Sequence, residues 1–247
     1  MYGVHRSRVK EVDRMPTGAA RPPLSRERVL DAAVALADAE GLDAVSMRRL
    51  AQDLGVVPMA IYKHVAHKDE LLDGMADRVV AAIPPTDADL PWRDALRARV
   101  LDARDVMLRH PWARRVLEGQ AAPTPVVLGH LDATIAILLR GGLSADLTHH
   151  VMHTLGSRVL GFSQELHTES TDAGTPLDDE TAAWFAGTFP HVVAVATAAS
   201  HDPASVVDAG CDDRFELEFT LDLLLDGIER LHRAGWTSAA ARAARQA

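Results

Sequence analysis

Ser46-Met-Arg-Arg-Leu-Ala-Gln-Asp-Leu-Gly-Val-Val-Pro-Met-Ala-Ile-Tyr-Lys-His-Val65 reads as two short helices hinged at one glycine. Leu50, Ala51 and Leu54 make an i, i+1, i+4 apolar stripe on the first helix. Ile61 and Val65 make an i, i+4 stripe on the second, so each helix has one face to bury and another to offer. Ala51 is small where the two must cross closely. Gly55 stands just past the last apolar residue of the first helix, where the chain needs a positive φ, and Pro58 suits the first turn of the next. This is the outline of a helix-turn-helix, and its second helix, of about eight residues, fits the major groove of DNA.

The flanks extend the pattern. Arg26 to Gly41 carries Val29, Ala33, Leu36 and Ala37 on one helical face, with Ser25 placed as N-cap and Gly41 as terminator. Lys68-Asp-Glu-Leu-Leu-Asp73 opens a further helix. Over residues 25–80 the chain resembles the DNA-binding domain of the tetracycline-repressor (TetR) family of bacterial regulators. The spacing of Ala51, Gly55, Tyr62, His64 and Lys68 carries the resemblance. One position departs from it: the residue before Pro58, commonly Ser or Thr in the family, is Val57, which can neither cap the second helix nor meet a phosphate.

A net charge of −9 over 247 residues looks wrong for a DNA binder until it is divided along the chain. Residues 1–80 balance twelve basic against twelve acidic groups, whereas 81–247 hold fourteen against twenty-three. Within 1–28 the basic groups lead by seven to three, and all three lysines are Lys10, Lys63 and Lys68. Positive charge is thus concentrated where phosphates would lie. With 47% apolar and 25% charged residues the composition is that of an ordinary globular protein. No apolar run approaches a membrane span, and Arg6, Arg8, Lys10 and Arg14 have no signal-peptide core behind them, so a cytoplasmic protein without membrane contact is expected. The single cysteine, Cys211, excludes an intramolecular disulfide and a multi-cysteine zinc site.

Proline and glycine divide the chain. Residues 1–24 are expected to be a flexible basic arm, 25–80 the helix-turn-helix domain, 81–91 a proline-rich connection, 92–234 a second helical domain and 235–247 a flexible tail. Amphipathic helices are expected over Trp92 to Arg109, Pro125 to Arg140, Ala145 to Glu165 with Ser144 as N-cap, and Asp212 to Ala234. Shorter ones are expected over Leu177 to Ala186 and His191 to Ser200. Strand alternation and internal repeats are missing, so the fold class is all-α: a three-helix helix-turn-helix domain followed by a helical domain, to which a family resemblance assigns ligand binding and dimerisation. The second part resembles the TetR C-terminal domain through Trp92-Arg-Asp-Ala-Leu96, Met107-Leu-Arg-His-Pro-Trp-Ala113, Gly142-Leu-Ser144, Leu160-Gly161-Phe162 and Phe215 to Glu229.

DNA readout is expected on the second helix of the motif. Met59 and Ala60 can meet a thymine methyl, Lys63 a guanine, and Tyr62 and His64 have the reach for phosphates. The resemblance adds Ser46, Arg48, Tyr62, His64 and Lys68 as backbone contacts, and Lys68 opens a helix whose dipole adds to its pull. Arg49 is read instead as a surface ion pair.

Leu217, Leu221, Leu224, Leu225, Ile228 and Leu231 form one stripe of the last long helix, and Phe215, Phe219 and Leu223 a second. The first suffices for a core, and the second is expected to dock on another subunit of a homodimer. An effector cavity is expected among His110, Trp112, Leu131, Ile135, Gly161 and Glu165. By the resemblance, His110 and Glu165 match residues that organise a metal-chelate ligand. Ala113 replaces that site's threonine and no histidine stands near Pro84, so the expected ligand is held without a metal or any other cofactor.

A regulator of transcription follows from this pattern, most simply a repressor released from double-stranded operator DNA by a small molecule. An activator or a protein-responsive regulator would have the same sequence features. A metal-dependent hydrolase using His110, His149, His153 and Glu165 is the rival from another class, but the chain has no HExxH motif, nucleophile elbow or phosphate loop.

Overall fold

The structure is a computed structural model that describes residues 23–156 and 213–246, with a few positions between 183 and 194. The expected basic arm, Cys211, Gly161, Glu165, most of the two short helices and the second half of the helix from Ala145 lie outside the described residues. Among the described residues every regular element is a helix. The chain divides into two compact units, Met1–Leu71 and Leu72–Ala247.

The first unit holds α1 (Arg26–Glu40), a single 3₁₀ turn (Leu42–Ala44), α2 (Met47–Leu54), α3 (Pro58–Tyr62) and the start of α4 (Lys68–Ala81). Ser25 caps α1 by accepting from the Arg28 amide at 3.3 Å, and Gly41 ends it at φ 85°. Val29, Ala33, Leu50, Ala51, Ile61, Val65 and Leu71 are buried, so the stripes read from the sequence are the core. The division falls inside α4, not in the proline-rich connection where the sequence suggested it. The physical reason lies in the part of α4 beyond Leu71, where Asp73 accepts from Gln120 and Asp77 accepts from Thr124.

The second unit continues with α5 (Trp92–Arg109), α6 (Trp112–Gly119), α7 (Pro125–Arg140), α8 (Ala145–Thr154), α9 (Asp213–Arg233) and α10 (Ser238–Gln246). Leu96, Val100, Ile137, Leu138, Leu143, Leu147, Val151, Leu221, Leu225 and Ile228 close one core. Ion pairs fix α9 antiparallel along α5: Arg93 meets Asp226 at 2.5 Å and Glu229 at 3.4 Å, Arg97 meets Glu218 at 2.7 Å and Asp222 at 3.0 Å, and Arg214 meets Asp105 at 3.5 Å. Half-exposed pairs add little stability singly, and their spacing chiefly sets the register of two helices whose apolar faces do the holding.

Two elements depart from the sequence reading. α6 was not expected, since Pro111 ends α5, yet that proline only resets the chain, and Trp112, Ala113 and Val116 then bury one face. Residues 235–247, expected as a flexible tail, carry α10 instead. Gly235 turns at φ 61° and Thr237 accepts from the Ala240 amide at 3.2 Å. Asp146 accepts from the Ser238 amide at 2.7 Å, and the alanine-rich run has the best intrinsic helix propensity.

The packing of α5 on the end of α7 gives a stability test. A Cβ added at Gly141 would lie 2.5 Å from both Cβ and Cγ of Trp92, atoms that cannot swing aside. Gly141→Ala is expected to cost about 1–3 kcal/mol through overpacking, measured as a lower urea midpoint. A midpoint at or above wild type would show that the helix ends are not pressed together there.

Candidate nucleic-acid interface and effector site

Gly55 sits at φ 67°, ψ 37°, and its amide donates to the carbonyls of Ala51 and Gln52, which ends α2 and turns the chain. Val57 is extended and offers α3 no side-chain cap, as its apolar side chain requires, and Pro58 starts the helix. α3 has five residues, against about eight expected from the sequence. Lys63 is its C-cap, and the amides of His64 and Val65 both donate to the Ile61 carbonyl, so Lys63 and His64 follow the helix instead of lying on it.

Burial separates the two faces of the motif. Ile61 and Val65 are inside, whereas Val57 is 67%, Met59 72% and Tyr62 46% exposed. Ala60 is half-buried between them. Ser46 caps α2 by accepting from the Arg49 amide at 3.2 Å, a role its sequence assignment as a DNA contact had not included. Arg49 is held by Glu40 at 2.7 Å and Asp53 at 3.1 Å, as its reading as an ion pair expected, and these carboxylates raise its pKa. Arg48, Lys63 and Lys68 are exposed and make no ion pair among the described residues. Glu70 accepts from the Ala66 amide at 2.7 Å and from Arg26 at 3.3 Å, which holds its carboxyl below the usual range. The Glu70 carboxylate is thus turned to Ala66 and Arg26, and no ion pair joins it to Lys68 among the described residues.

In the second unit the two stripes of α9 part as read. Leu221, Leu225 and Ile228 are buried, while Phe215, Phe219 and Leu223 point outward, with Leu223 57% exposed. Beside them a cavity of about 460 Å³ opens between α8, α9 and α10, lined by Leu147, Val151, Leu223, Leu224, Leu231 and Trp236 among others.

That cavity is not among the residues expected to hold an effector. Trp112 is buried with its ring 6.0 Å from that of His110, at 65°, and Ala113 is buried as well. Leu131 is exposed and Ile135 half-buried, both on α7. What the structure does assemble between α5 and α7 is a polar group that sequence reasoning missed. Arg99, only 7% exposed, donates through Nε to Thr134 Oγ1 at 2.8 Å and through Nη2 to the His130 carbonyl at 3.1 Å. Nη2 also meets His130 Nδ1 at 2.9 Å, and Nη1 donates to Thr86 Oγ1 at 3.4 Å. The available signal was an arginine standing inside the apolar stripe of Leu96, Val100 and Ala103.

Burial and the positive charge of Arg99 push the His130 pKa down from 6.5 to about 4. The folded state then stays neutral while the unfolded chain takes up a proton, so this contribution is complete above pH 6.5 and is lost as pH falls toward 4. The slope can reach about 1.4 kcal/mol per pH unit. His130→Asn, which keeps an acceptor for Arg99, should flatten the stability profile over that window in denaturant titrations. A profile unchanged by the substitution would place the titration elsewhere.

The rings of His149 and His153 meet edge-on at 4.6 Å, those of His149 and His150 at 5.2 Å, and those of His150 and Trp236 at 5.2 Å. Among the described residues no three acidic, histidine or cysteine side chains are placed to hold a metal ion, and no helix is long and apolar enough to cross a membrane.

A helix-turn-helix with exposed apolar and basic side chains, joined to a helical second unit, defines a DNA-binding transcriptional regulator. Residues 29–75 match the model of bacterial regulatory proteins of the tetR family, and residues 84–232 match the tetracyclin repressor-like C-terminal domain. The chain belongs to the TetR family, whose members are regulators rather than enzymes. It is 30% identical to the HTH-type transcriptional repressor DrrR1 of Streptomyces coeruleorubidus over 90% of this chain and 83% of the relative. Its fold is similar to that of apo ActR from Streptomyces coelicolor, with a TM-score of 0.62 and 26% identity over 88% of this chain and all of that one. ActR in complex with actinorhodin is similar at a TM-score of 0.61 and 27% identity, covering 85% of this chain and 98% of that one.

Proposed function

We propose that this regulator is a repressor that binds a pseudo-palindromic operator as a homodimer and leaves it when a small molecule occupies the second unit. The observation that carries the DNA-binding half is the face of the motif on which Val57, Met59 and Tyr62 are exposed while Arg48, Lys63 and Lys68 lack acidic partners among the described residues. A helix pair with a purely structural role would bury its apolar residues and pair its charges, as Arg49 does here. Met59 and Ala60 meet thymine methyls, Lys63 reads a guanine, and Ser46, Arg48, Tyr62, His64 and Lys68 hold the phosphate backbone. The Ser46 hydroxyl, whose oxygen already caps α2, keeps its hydrogen to donate to a phosphate.

The effector half is supported by ActR, solved with actinorhodin, and by the buried polar group between α5 and α7. The ligand lies against Leu131 and Ile135, with His110, Trp112, Gly161 and Glu165 completing the lining, and needs no metal because Ala113 stands where a chelate site would hold threonine. Its differential affinity for two conformers of the dimer sets how far operator affinity falls. Phe215, Phe219 and Leu223 form the dimer contact.

Selection of DNA from a random pool by the full chain tests this reading. Enrichment of an inverted repeat with half-sites about one helical turn, roughly 34 Å, apart is the expected outcome. A pool that yields no common sequence, or a direct repeat, would sink the proposal.

A further inference from the structure

Among the described residues Arg99 is a buried cation without a counterion. Its four partners, the hydroxyls of Thr134 and Thr86 and the carbonyl and Nδ1 of His130, are all neutral. Asp102, three residues further along α5, attracts it electrostatically, but no ion pair joins them. The contrast with Arg93 and Arg97 is plain, since each of those is clasped by two carboxylates at the surface. Hydrogen bonds alone would be served there by a neutral side chain, whereas an unneutralised guanidinium is strongly disfavoured in a nearly dry site.

The donors are also in excess. Nε and both Nη2 hydrogens have acceptors, but Nη1 carries two hydrogens and, among the described residues, has only Thr86, at 3.4 Å. Because a guanidinium can only donate, the Nδ1 of His130 must accept, which leaves the ring proton of that neutral imidazole on Nε2 as a second unengaged kind of donor. Spare donors on a buried guanidinium, with apolar Leu131 and Ile135 on the same helix as His130 and Thr134, are complementary to an apolar molecule bearing an anionic oxygen.

We infer that the effector is an organic anion, an apolar body carrying a carboxylate or an acidic phenol, whose charged oxygen is received by Arg99 between α5 and α7. This rests on the reading of the chain as ligand-responsive and adds the chemical class of the ligand. Neutral analogues of the same shape bind less well, because they leave the guanidinium uncompensated.

The test uses the full-length dimer and three pairs of probes of matched shape: 2-naphthoate, biphenyl-4-carboxylate and anthracene-9-carboxylate, each beside its primary amide. By isothermal titration at least one acid is expected to bind at least tenfold more tightly than its amide. Arg99→Met should reduce that acid's affinity at least tenfold and leave the amide's unchanged, and Arg99→Lys should fall between. Without ligand, Arg99→Met should melt no lower than wild type, since it removes an uncompensated charge. Should Arg99→Met not fold, the acid and amide comparison on wild type and Arg99→Lys decides alone. Equal binding of acids and amides, amide binding alone, or an Arg99→Met protein that melts lower yet still discriminates overturns the inference while leaving a small-molecule regulator standing. Silence from both sets of probes counts against the inference and the ligand-responsive reading together.

Discussion

Leu223→Glu should yield a monomer and lower operator affinity by a factor on the order of a hundred or more. α9 spends its leucine stripe on its own core, and Phe219 and Leu223, both more than half exposed, lie outside that core. Burying one such side chain is worth about 1.5–3 kcal/mol, and in a two-fold interface every residue is buried twice. A glutamate near the axis removes that gain and sets two carboxylates against each other. Once the subunits separate, the second half-site no longer benefits from the high local concentration that the first provides. Because the side chain is outside the core, folding should be unchanged by circular dichroism, which separates this effect from denaturation. Sedimentation at micromolar concentration checks it, and either a monomeric wild type or a dimeric variant would refute the assignment.

How legible this was depended on the range over which each feature is specified. α1, α2, α5, α7 and the caps Ser25, Gly41, Gly55 and Ser144 are local, encoded by periodicity and by one residue whose backbone or side chain ends the helix. The burial of Leu221 and exposure of Leu223 were legible for the same reason, since two stripes on one helix cannot both face one core. α10 was missed because its anchors are distant: Asp146, ninety-two residues earlier, meets its first turn. The site between α5 and α7 was missed for a related reason. Arg99, Thr134 and Thr86 come together only through the packing of separate segments, and a lone arginine in an apolar stripe reads locally as an error in the stripe. Motif position drew attention to His110 instead, and its ring meets that of Trp112 at the turn into α6.

Lys68→Ala should weaken binding to every DNA sequence alike and flatten its salt dependence. Lysine is a poor choice for the first turn of a helix, where the macrodipole already carries positive charge. α4 tolerates it with Asp69 and Glu70 in the same turn, but Glu70 is bound to the Ala66 amide and to Arg26. A cation kept at a local cost and left without an acidic partner among the described residues fits the proposal that its anion arrives from outside, as the phosphate backbone of an operator. Each phosphate contact adds about 0.9 to the slope of log affinity against log salt, so a dimer that loses Lys68 from both subunits should lose roughly 1.8. Lys63→Ala separates the other role, since a base contact worth about 1–3 kcal/mol should vanish at one position of each half-site while the salt slope changes less. Fluorescence anisotropy over a range of potassium chloride, with the selected operator and with single-base variants, measures both. The folded protein without DNA should be no less stable for the loss of Lys68. If Lys68→Ala instead relaxed sequence preference and kept the slope, the lysine would be reading a base and the phosphate assignment would have to pass to Lys63.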